Sequence, residues 1–460
     1  MRIIILLSSV ILLSNIAKGQ KTQTELLDSL FTALYNQNSF NGNVLIAEKG
    51  NVIFQKSYGL ADEESKQYLN LQTKFELASV SKQFTAMGIV LLEKMGKLTY
   101  DDNISKFIPE LSFYKNITVR NLLNHTSGLP DYIELFDEKW DKTKFATNQD
   151  IVNLFAKHKP NVNFKAGKRF EYSNTGYALL GLIIACVSEK PYGQFLTENI
   201  FKPLEMENTF VYRSRYEPQK IENYALGYVT DSLGNKVLPN SFGKEYYSYY
   251  LDGIVGDGMV NSTLEDLLKW DRALYSTILI NEKDKEIIFS SFKTKDGKQT
   301  NYGFGWLVGI NEKYGKIANH SGEWAGYKTF IERHLDNDKT IILLQNNSTI
   351  KTVIPVREVR NILYNEIIRT SRTKQITVSS EELDKYTGVY STRKFPLKIT
   401  IFKNGNTLMA QATGQRAFPL NAYENHVFKF DSAGITMTFN LSENSLEMTQ
   451  GKQKTIFKKE

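Results

Sequence analysis

Cysteine is almost missing from these 460 residues: Cys186 stands alone. One cysteine cannot close a disulfide within the chain, so stability must come from packing. It lies in the apolar run LIIACV and reads as a small buried side chain on a helix. Histidine is scarce as well. His125, His158, His320, His334 and His426 form no H-E-x-x-H pattern and no close ligand cluster, so we expect no metal and no cofactor. Runs of one charge are missing too. The formal net charge is +7, but lysine and arginine are scattered and no nucleic-acid motif appears, which argues against a nucleic-acid partner. The apolar run Ile3–Leu13 is too short to span a bilayer, so no stable membrane span is expected. It follows Arg2, and Ala17-Lys18-Gly19 then places small residues where a signal peptidase reads. Residues 1–19 are therefore predicted to be a signal peptide cleaved before Gln20. The mature protein would be exported, periplasmic or secreted, and soluble. A retained anchor is the alternative, though no cysteine near the cleavage region supports a lipid anchor.

What is present is a 41% hydrophobic chain, long enough for two or three folding units. Residues 71–100 organise it. Ser79 and Lys82 are separated by two residues and followed by Phe84, Met87, Val90 and Leu91 at helical spacing. A helix starting at or just before Ser79 puts serine and lysine one turn apart on one face, beside free backbone N–H groups. Such a serine can be a nucleophile, because the amine can take its proton. Upstream, TELLDSLFTALYNQ reads as an amphipathic helix with Leu26, Leu27, Leu30, Phe31 and Leu34 as its stripe. GNVLIAEKGNVIFQKSYG reads as a hairpin turning at Lys49-Gly50, with Val44 and Ile46 on one side.

Residues 97–250 alternate helical patches with loops. VRNLLNH is a helix that Thr118 can cap and that Ser127-Gly128 and Pro130 stop; His125 at its end reads as structural, or as a favourable C-terminal charge. Tyr172-Ser173-Asn174 reads as a loop feeding a buried helix, TGYALLGLIIACVSEK. The aromatic segment 213–250 reads as surface, with a pocket rim as the alternative. Gly253, Gly256 and Gly258 permit tight backbone geometry before a helix that Ser262 or Thr263 can cap. YGFGWLVGI, YGKIANHSG, YKTFIERH and TIILLQNN read as successive strands, with a helix from about Val353. The whole predicts an α+β fold: antiparallel sheet flanked by helices, with a mainly helical subdomain.

The order Ser79-x-x-Lys82, Tyr172-Ser173-Asn174, His320-Ser321-Gly322 resembles the serine beta-lactamase and penicillin-binding protein superfamily. The likeness is greatest to its class C-like branch of beta-lactamases, D-alanyl-D-alanine carboxypeptidases and esterases. The flanks FELASVSKQFTA, GKLTYDDNISKFIPE, ITVRNLLNHTSGLPDY, YGFGWLV and HSGEWAGYKTFIERH carry the same resemblance, over roughly residues 25–365. Residues 20–365 are accordingly predicted to be the hydrolase domain and 366–380 a linker. Residues 381–460 show short alternating strands (YTGVYST, LKITIFKNG, TLMAQAT, HVFKF, ITMTFN, SLEMTQ) and predict a small antiparallel barrel or sandwich. It resembles the lipocalin-like domains appended to some relatives. It reads as a packing or stability module, with self-association or substrate gating as alternatives.

The resemblance implies an acyl-enzyme on Ser79, with Lys82 and Tyr172 handling protons and Asn174 orienting Lys82 or binding a substrate amide. Lysine and tyrosine ordinarily titrate near about 10, so the two are best treated as one coupled pair. It also implies an oxyanion site from the backbone N–H groups of Ser79 and Glu323, with His320, Ser321 and Gly322 binding substrate. Many relatives carry Lys-Thr-Gly at the third motif. Histidine there is mostly neutral at pH 7.5, offers one hydrogen bond, and gains charge towards pH 6. The expected activity is hydrolysis of small esters or D-amino-acid peptides and amides, so the partner is a small-molecule or short peptide substrate. A beta-lactamase or D-alanyl-D-alanine carboxypeptidase is the alternative, and a catalytically silent binding protein the alternative of another class.

Overall fold

The computed structural model describes residues 22–365, 376–392, 395–413, 417–430, 433–450 and 453–460. The predicted signal peptide and residues 366–375 of the predicted linker lie outside them. No helix among the described residues is long and apolar enough to cross a membrane. The chain divides into two compact units, one ending at Thr352 and one beginning at Val353.

The first unit is α+β. Its six-stranded antiparallel sheet runs, in spatial order, Leu307–Asn311, Gly315–Trp324, Tyr327–His334, Lys339–Gln345, Gly42–Glu48 and Asn51–Tyr58. The hairpin turns where expected, with Lys49 and Gly50 both at positive φ, the geometry that matches strand twist. The Gly42–Glu48 strand lies inside the sheet, paired Gly42 to Gln345 and Ile46 to Ile341. Val44 and Ile46 share a face as predicted, but Leu45 and Ala47 are equally buried, because helices cover both faces. On one side lies the helix Gln23–Asn36, whose N-terminus is closed by reciprocal bonds between Thr22 and Glu25 and whose Phe31 meets Phe40 and Phe54.

On the other side lies the serine helix. A 3₁₀ turn, Ala78–Ser81, runs into the α-helix Lys82–Lys94, and every residue from Lys82 to Leu92 is buried. A helix buried all round is the centre of its unit. Gln83 accepts from the Trp270 indole at 3.0 Å, and Phe84 packs on Trp270 and Phe201. Gly88 touches Ile184 on the second buried helix, Asn174–Ser188. The helices Val119–Leu123, Tyr132–Lys139, Asn148–His158 and Leu264–Ala273 begin at Thr118, Asp131, Thr147 and Thr263, which cap them. Cys186 corrects an expectation. It lies in the last turn of the Asn174–Ser188 helix and is exposed, whereas Ile183 and Ile184 point into the core.

In the second unit, a helix forms at Val356–Leu363 and eight strands from Gly388 to Lys459 make a closed antiparallel barrel. Each strand pairs with the next, and Tyr390 pairs with Lys459 to close the ring. Its core alternates as a barrel interior must: Ile399 and Ile401, Leu408 and Ala410, Met437 and Phe439. Two strands go beyond the six expected. Phe418–Tyr423 carries Pro419, which hid it, and Gln453–Lys459 buries only alternate residues, Thr455 and Phe457, in a lysine-rich segment.

Candidate active site

The nucleophile turn is pinned from both sides. The Leu77 N–H donates to the Val260 carbonyl at 2.8 Å, the Leu77 carbonyl accepts from Thr329 Oγ1 at 2.7 Å, and Ser81 Oγ accepts from the Val260 N–H at 3.0 Å. Between these anchors Ala78 is held at φ 49°, a conformation that favours glycine, and this turns Ser79 towards a cleft. Strained backbone next to a reactive group persists only where its surroundings over-determine it.

Lys82 opens the α-helix and its side chain is fully buried. Its Nζ donates to Ser79 Oγ at 3.1 Å, Asn174 Oδ1 at 3.0 Å and the Asp257 carbonyl at 2.8 Å, which uses all three ammonium donors. Asn174 is the first residue of its helix rather than a loop residue. Its backbone N–H and its Nδ2 both donate to Asp131 Oδ2, at 2.8 and 3.1 Å, which leaves Oδ1 facing Lys82. Asp131 also caps the Tyr132–Lys139 helix. A continuous chain thus runs Asp131, Asn174, Lys82, Ser79.

Tyr172 is partly exposed, and its ring lies 5.1 Å from Lys82 Nζ. Its hydroxyl has no hydrogen bond among the described residues. The ring is held instead by stacking on His125 at 4.2 Å. His125 is buried at φ 53°, and its Nδ1 accepts from the Ser173 N–H at 3.1 Å. Burial, then the nearby Lys82 charge and His320, hold it far below the usual imidazole range. It is therefore neutral, so of the two expected readings the structural one holds and the helix-terminal charge does not: it supports Tyr172.

His320 is also brought to this place, but turned inward. Its Nδ1 lies 2.7 Å from the Ser321 carbonyl, which can only accept, so Nδ1 carries the proton and Nε2 accepts from Tyr302 at 2.9 Å. Burial, reinforced by Lys82, lowers its pKa to about 3. The expectation that its ring donates to a substrate and charges towards pH 6 is corrected on both counts. Both nitrogens are engaged within the protein, and the ring stays neutral throughout that range.

Ser321 and Glu323 are exposed on the same strand, and Gly322 between them is buried. A Cβ on Gly322 would stand 2.2 Å from the Leu77 carbonyl and 3.1 Å from the Ser79 nitrogen. Only glycine lets this strand cross so closely over the Ser79 amide, and Ser79 and Glu323 then line the same cleft. Gly322→Ala should push strand and serine turn apart. We expect it to cost about 1–3 kcal/mol of stability, as overpacking does, and to lower the acylation rate at least tenfold. Denaturant unfolding and burst kinetics measure the two effects. Unchanged acylation would show that the close crossing is irrelevant to the reaction.

The cleft holds about 520 Å³ of empty space. Glu76, Asp257 and Glu323 are its charged lining residues; Ile133, Leu251, Ile254 and Trp324 are among its apolar ones. Of the segment 213–250, Tyr247 reaches this neighbourhood, with its ring 5.1 Å from Trp324. Asp257 is placed by Gly256, which runs at φ 101° against the Tyr177 carbonyl. Its carboxyl accepts from the Tyr132 hydroxyl at 2.9 Å and is raised to about 6 by burial, against the opposing pull of Lys82 and Tyr132. Asp131, His125, Tyr132, Asp257 and Tyr302 are the participants that the sequence reading did not assign to the site. Asp131 had a legible signal, an aspartate directly ahead of YIELF. Asp257 had none beyond its two flanking glycines.

The beta-lactamase family model matches residues 27–356. Penicillin-binding protein 4* of Bacillus subtilis (strain 168) is 43% identical over 321 residues, 70% of this chain and 71% of its own. The D-amino acid amidase of Ochrobactrum anthropi SV3, solved with D-phenylalanine, is 27% identical with a TM-score of 0.60, over 74% of this chain and 99% of its own. The octameric penicillin-binding protein homologue of Pyrococcus abyssi shares the fold over 94% of this chain and 99% of its own, with a TM-score of 0.65 at 22% identity. The family model spans the sheet, the buried serine helix and Lys82, and on that match and the Bacillus subtilis relative the chain belongs to the beta-lactamase family.

Proposed function

We propose that the protein is a serine hydrolase that works through an acyl-enzyme on small esters or D-amino-acid amides and peptides. The observation that carries the reading is the buried Lys82, whose nitrogen lies 3.1 Å from Ser79 Oγ and is fixed by Asn174 and the Asp257 carbonyl. Ser79 Oγ attacks the carbonyl carbon as its proton passes to the Lys82–Tyr172 pair in its singly deprotonated form. Negative charge on the carbonyl oxygen is met by the N–H groups of Ser79 and Glu323, whose two segments the Gly322 crossing brings together. Tyr172, whose hydroxyl has no hydrogen-bond partner among the described residues, protonates the leaving group. The same pair then activates the water that releases the acyl group. A silent binding protein would have no use for so complete a proton chain.

The amidase relative supports the choice of substrates. The Bacillus subtilis relative, a penicillin-binding protein by name, favours a second reading, acylation by penicillins or D-alanyl peptides. The charge of the cleft speaks for the first. His320 is neutral, Lys82 is buried and bonded beneath Ser79, and among the described residues no other lysine or arginine lines the cleft to hold a substrate carboxylate. Short-chain neutral esters should therefore turn over at least tenfold faster than penicillins at pH 7.5, compared as kcat/KM. Efficient hydrolysis of penicillin with negligible ester turnover would reverse the preference.

A further inference from the structure

Beyond the cleft beside Ser79, the same strand borders a second groove. Glu323 and Trp324 line both, so the two spaces share a wall. The second holds about 850 Å³ of empty space. Three aromatic rings follow one another along it: Tyr246 lies 4.6 Å from Tyr247, which meets Trp324 edge-on at 5.1 Å. Val229, Ala325 and Ile350 add aliphatic wall, and Ile350 is 78% exposed. The hydroxyls of the groove are largely spent inside the protein. Ser348 Oγ donates to the Glu323 carboxylate at 3.3 Å, and Thr349 Oγ1 bonds Thr352 Oγ1 at 3.1 Å. A sugar ring would lose hydration there without finding enough partners, whereas an aromatic ring needs none. Glu323 is the one charged lining residue among the described residues, and it repels an anion.

The order of groups along the strand Gly315–Trp324 says which part of a substrate would enter. His320 stands at the Tyr172 end, with ring centroids 6.1 Å apart. Trp324 is four residues further on, about 13 Å along an extended strand. Tyr172 protonates the leaving group, so the leaving group lies towards His320. The acyl chain then runs the other way, past Glu323 and Trp324. We propose that the second groove is a distal acyl subsite, and that it selects acyl chains ending in an aromatic ring held several bonds from the carbonyl that Ser79 attacks. This rests on the acyl-hydrolase reading and goes beyond it. A ring only as far from the carbonyl as in phenylalanine stays in the first cleft, against Ile133, Leu251 and Ile254. A ring further out meets Tyr246, Tyr247 and Trp324 in offset or edge-on contact. Tyr246 and Ile350 line the second groove and not the first, so they should determine specificity for long acyl chains alone.

The test uses 4-nitrophenyl esters of phenylalkanoic acids with two to six methylenes between ring and carbonyl. Each is compared, as kcat/KM at pH 7.5, with the ester in which methyl replaces the ring, so the reacting carbonyl and leaving group are the same. In the wild type this ratio should climb with spacing, to roughly tenfold or more above its two-methylene value. Ile350→Asp and Tyr246→Ala should each cut the ratio at the best spacing at least threefold and leave it unchanged at two methylenes. The ratio is read within each protein, so general effects on folding or turnover cancel. A wild-type ratio that does not climb, or one that neither substitution lowers, overturns the subsite while leaving the hydrolase reading intact. Moving the ring into the alcohol, in phenylalkyl acetates, should make the ratio indifferent to Ile350→Asp; a dependence there would give the groove to the leaving group and overturn the acyl assignment. Binding provides an arm independent of catalysis. Calorimetry on Ser79→Ala protein should give the primary amide of the best-spaced acid roughly tenfold or more higher affinity than 3-phenylpropanamide, and adding Ile350→Asp should remove most of that gain. Equal affinities overturn the proposal even if no ester is hydrolysed, whereas absent turnover with a retained preference for the distant ring overturns the hydrolase reading alone.

Discussion

Ser79→Ala is expected to leave a folded protein that forms no covalent adduct with a fluorophosphonate probe, with turnover reduced roughly 10³-fold or more. The fold should survive because the Ser79 hydroxyl is half-buried and bonds only Lys82 among the described residues, while its turn is held by the anchors at Leu77 and Ser81. Nothing nearby can replace it. Ser127 is buried and its Oγ accepts from the Leu129 N–H. Ser321 is exposed but makes no bond to a lysine among the described residues. Mass mapping of the labelled wild type should find one modified peptide, that of Ser79. Equal labelling of the Ser79→Ala protein at Ser127 or Ser321 would overturn the assignment. What activity remains in the mutant should come from binding and the oxyanion N–H groups, which the substitution leaves in place.

The parts of this site that were legible in the sequence are those that local spacing fixes. Ser79 and Lys82 meet because they lie three residues apart on a helical turn, and Thr118 and Thr263 read as caps because capping is a contact over three residues. The parts that were not legible are made by segments that meet only in the folded chain. Asp131 fixes the Asn174 amide across 43 positions, and Asp257 reaches Lys82 across 175. No periodicity records either approach. His320 shows the same limit from the other side. Its motif position was plain, but whether its ring faces substrate or core depends on Tyr302, whose hydroxyl holds Nε2, and on the burial that keeps it neutral. The sheet followed the same rule. Alternation in GNVLIAE placed Val44 and Ile46 on one face, but only the pairing of this strand with Lys339–Gln345 makes it internal and buries Leu45 and Ala47 as well.

The proton-handling pair should separate stability from chemistry. Lys82→Met keeps most of the buried stem but removes the donor shared by Ser79 Oγ, Asn174 Oδ1 and the Asp257 carbonyl. Buried acceptors left unpaired cost about 1–3 kcal/mol each, so this protein should unfold at visibly lower denaturant as well as lose roughly 10³-fold in kcat. Tyr172→Phe removes a hydroxyl that bonds nothing among the described residues and keeps the ring stacked on His125. It should therefore be close to wild type in stability, yet lose roughly 10²-fold or more in kcat, within the usual range for a general acid or base. In the double mutant the losses in kcat should fall well short of their product, because groups that pass one proton act as a unit. The stability effects, by contrast, should stay close to additive, since Tyr172→Phe keeps the ring that lies 5.1 Å from Lys82 Nζ and removes no hydrogen bond between the two side chains. Rate losses that multiply fully would mean that Lys82 and Tyr172 act in separate steps. A Tyr172→Phe protein with wild-type kcat would remove the tyrosine from the chemistry and leave Lys82, the one side chain bonded to the Ser79 hydroxyl among the described residues, as the base.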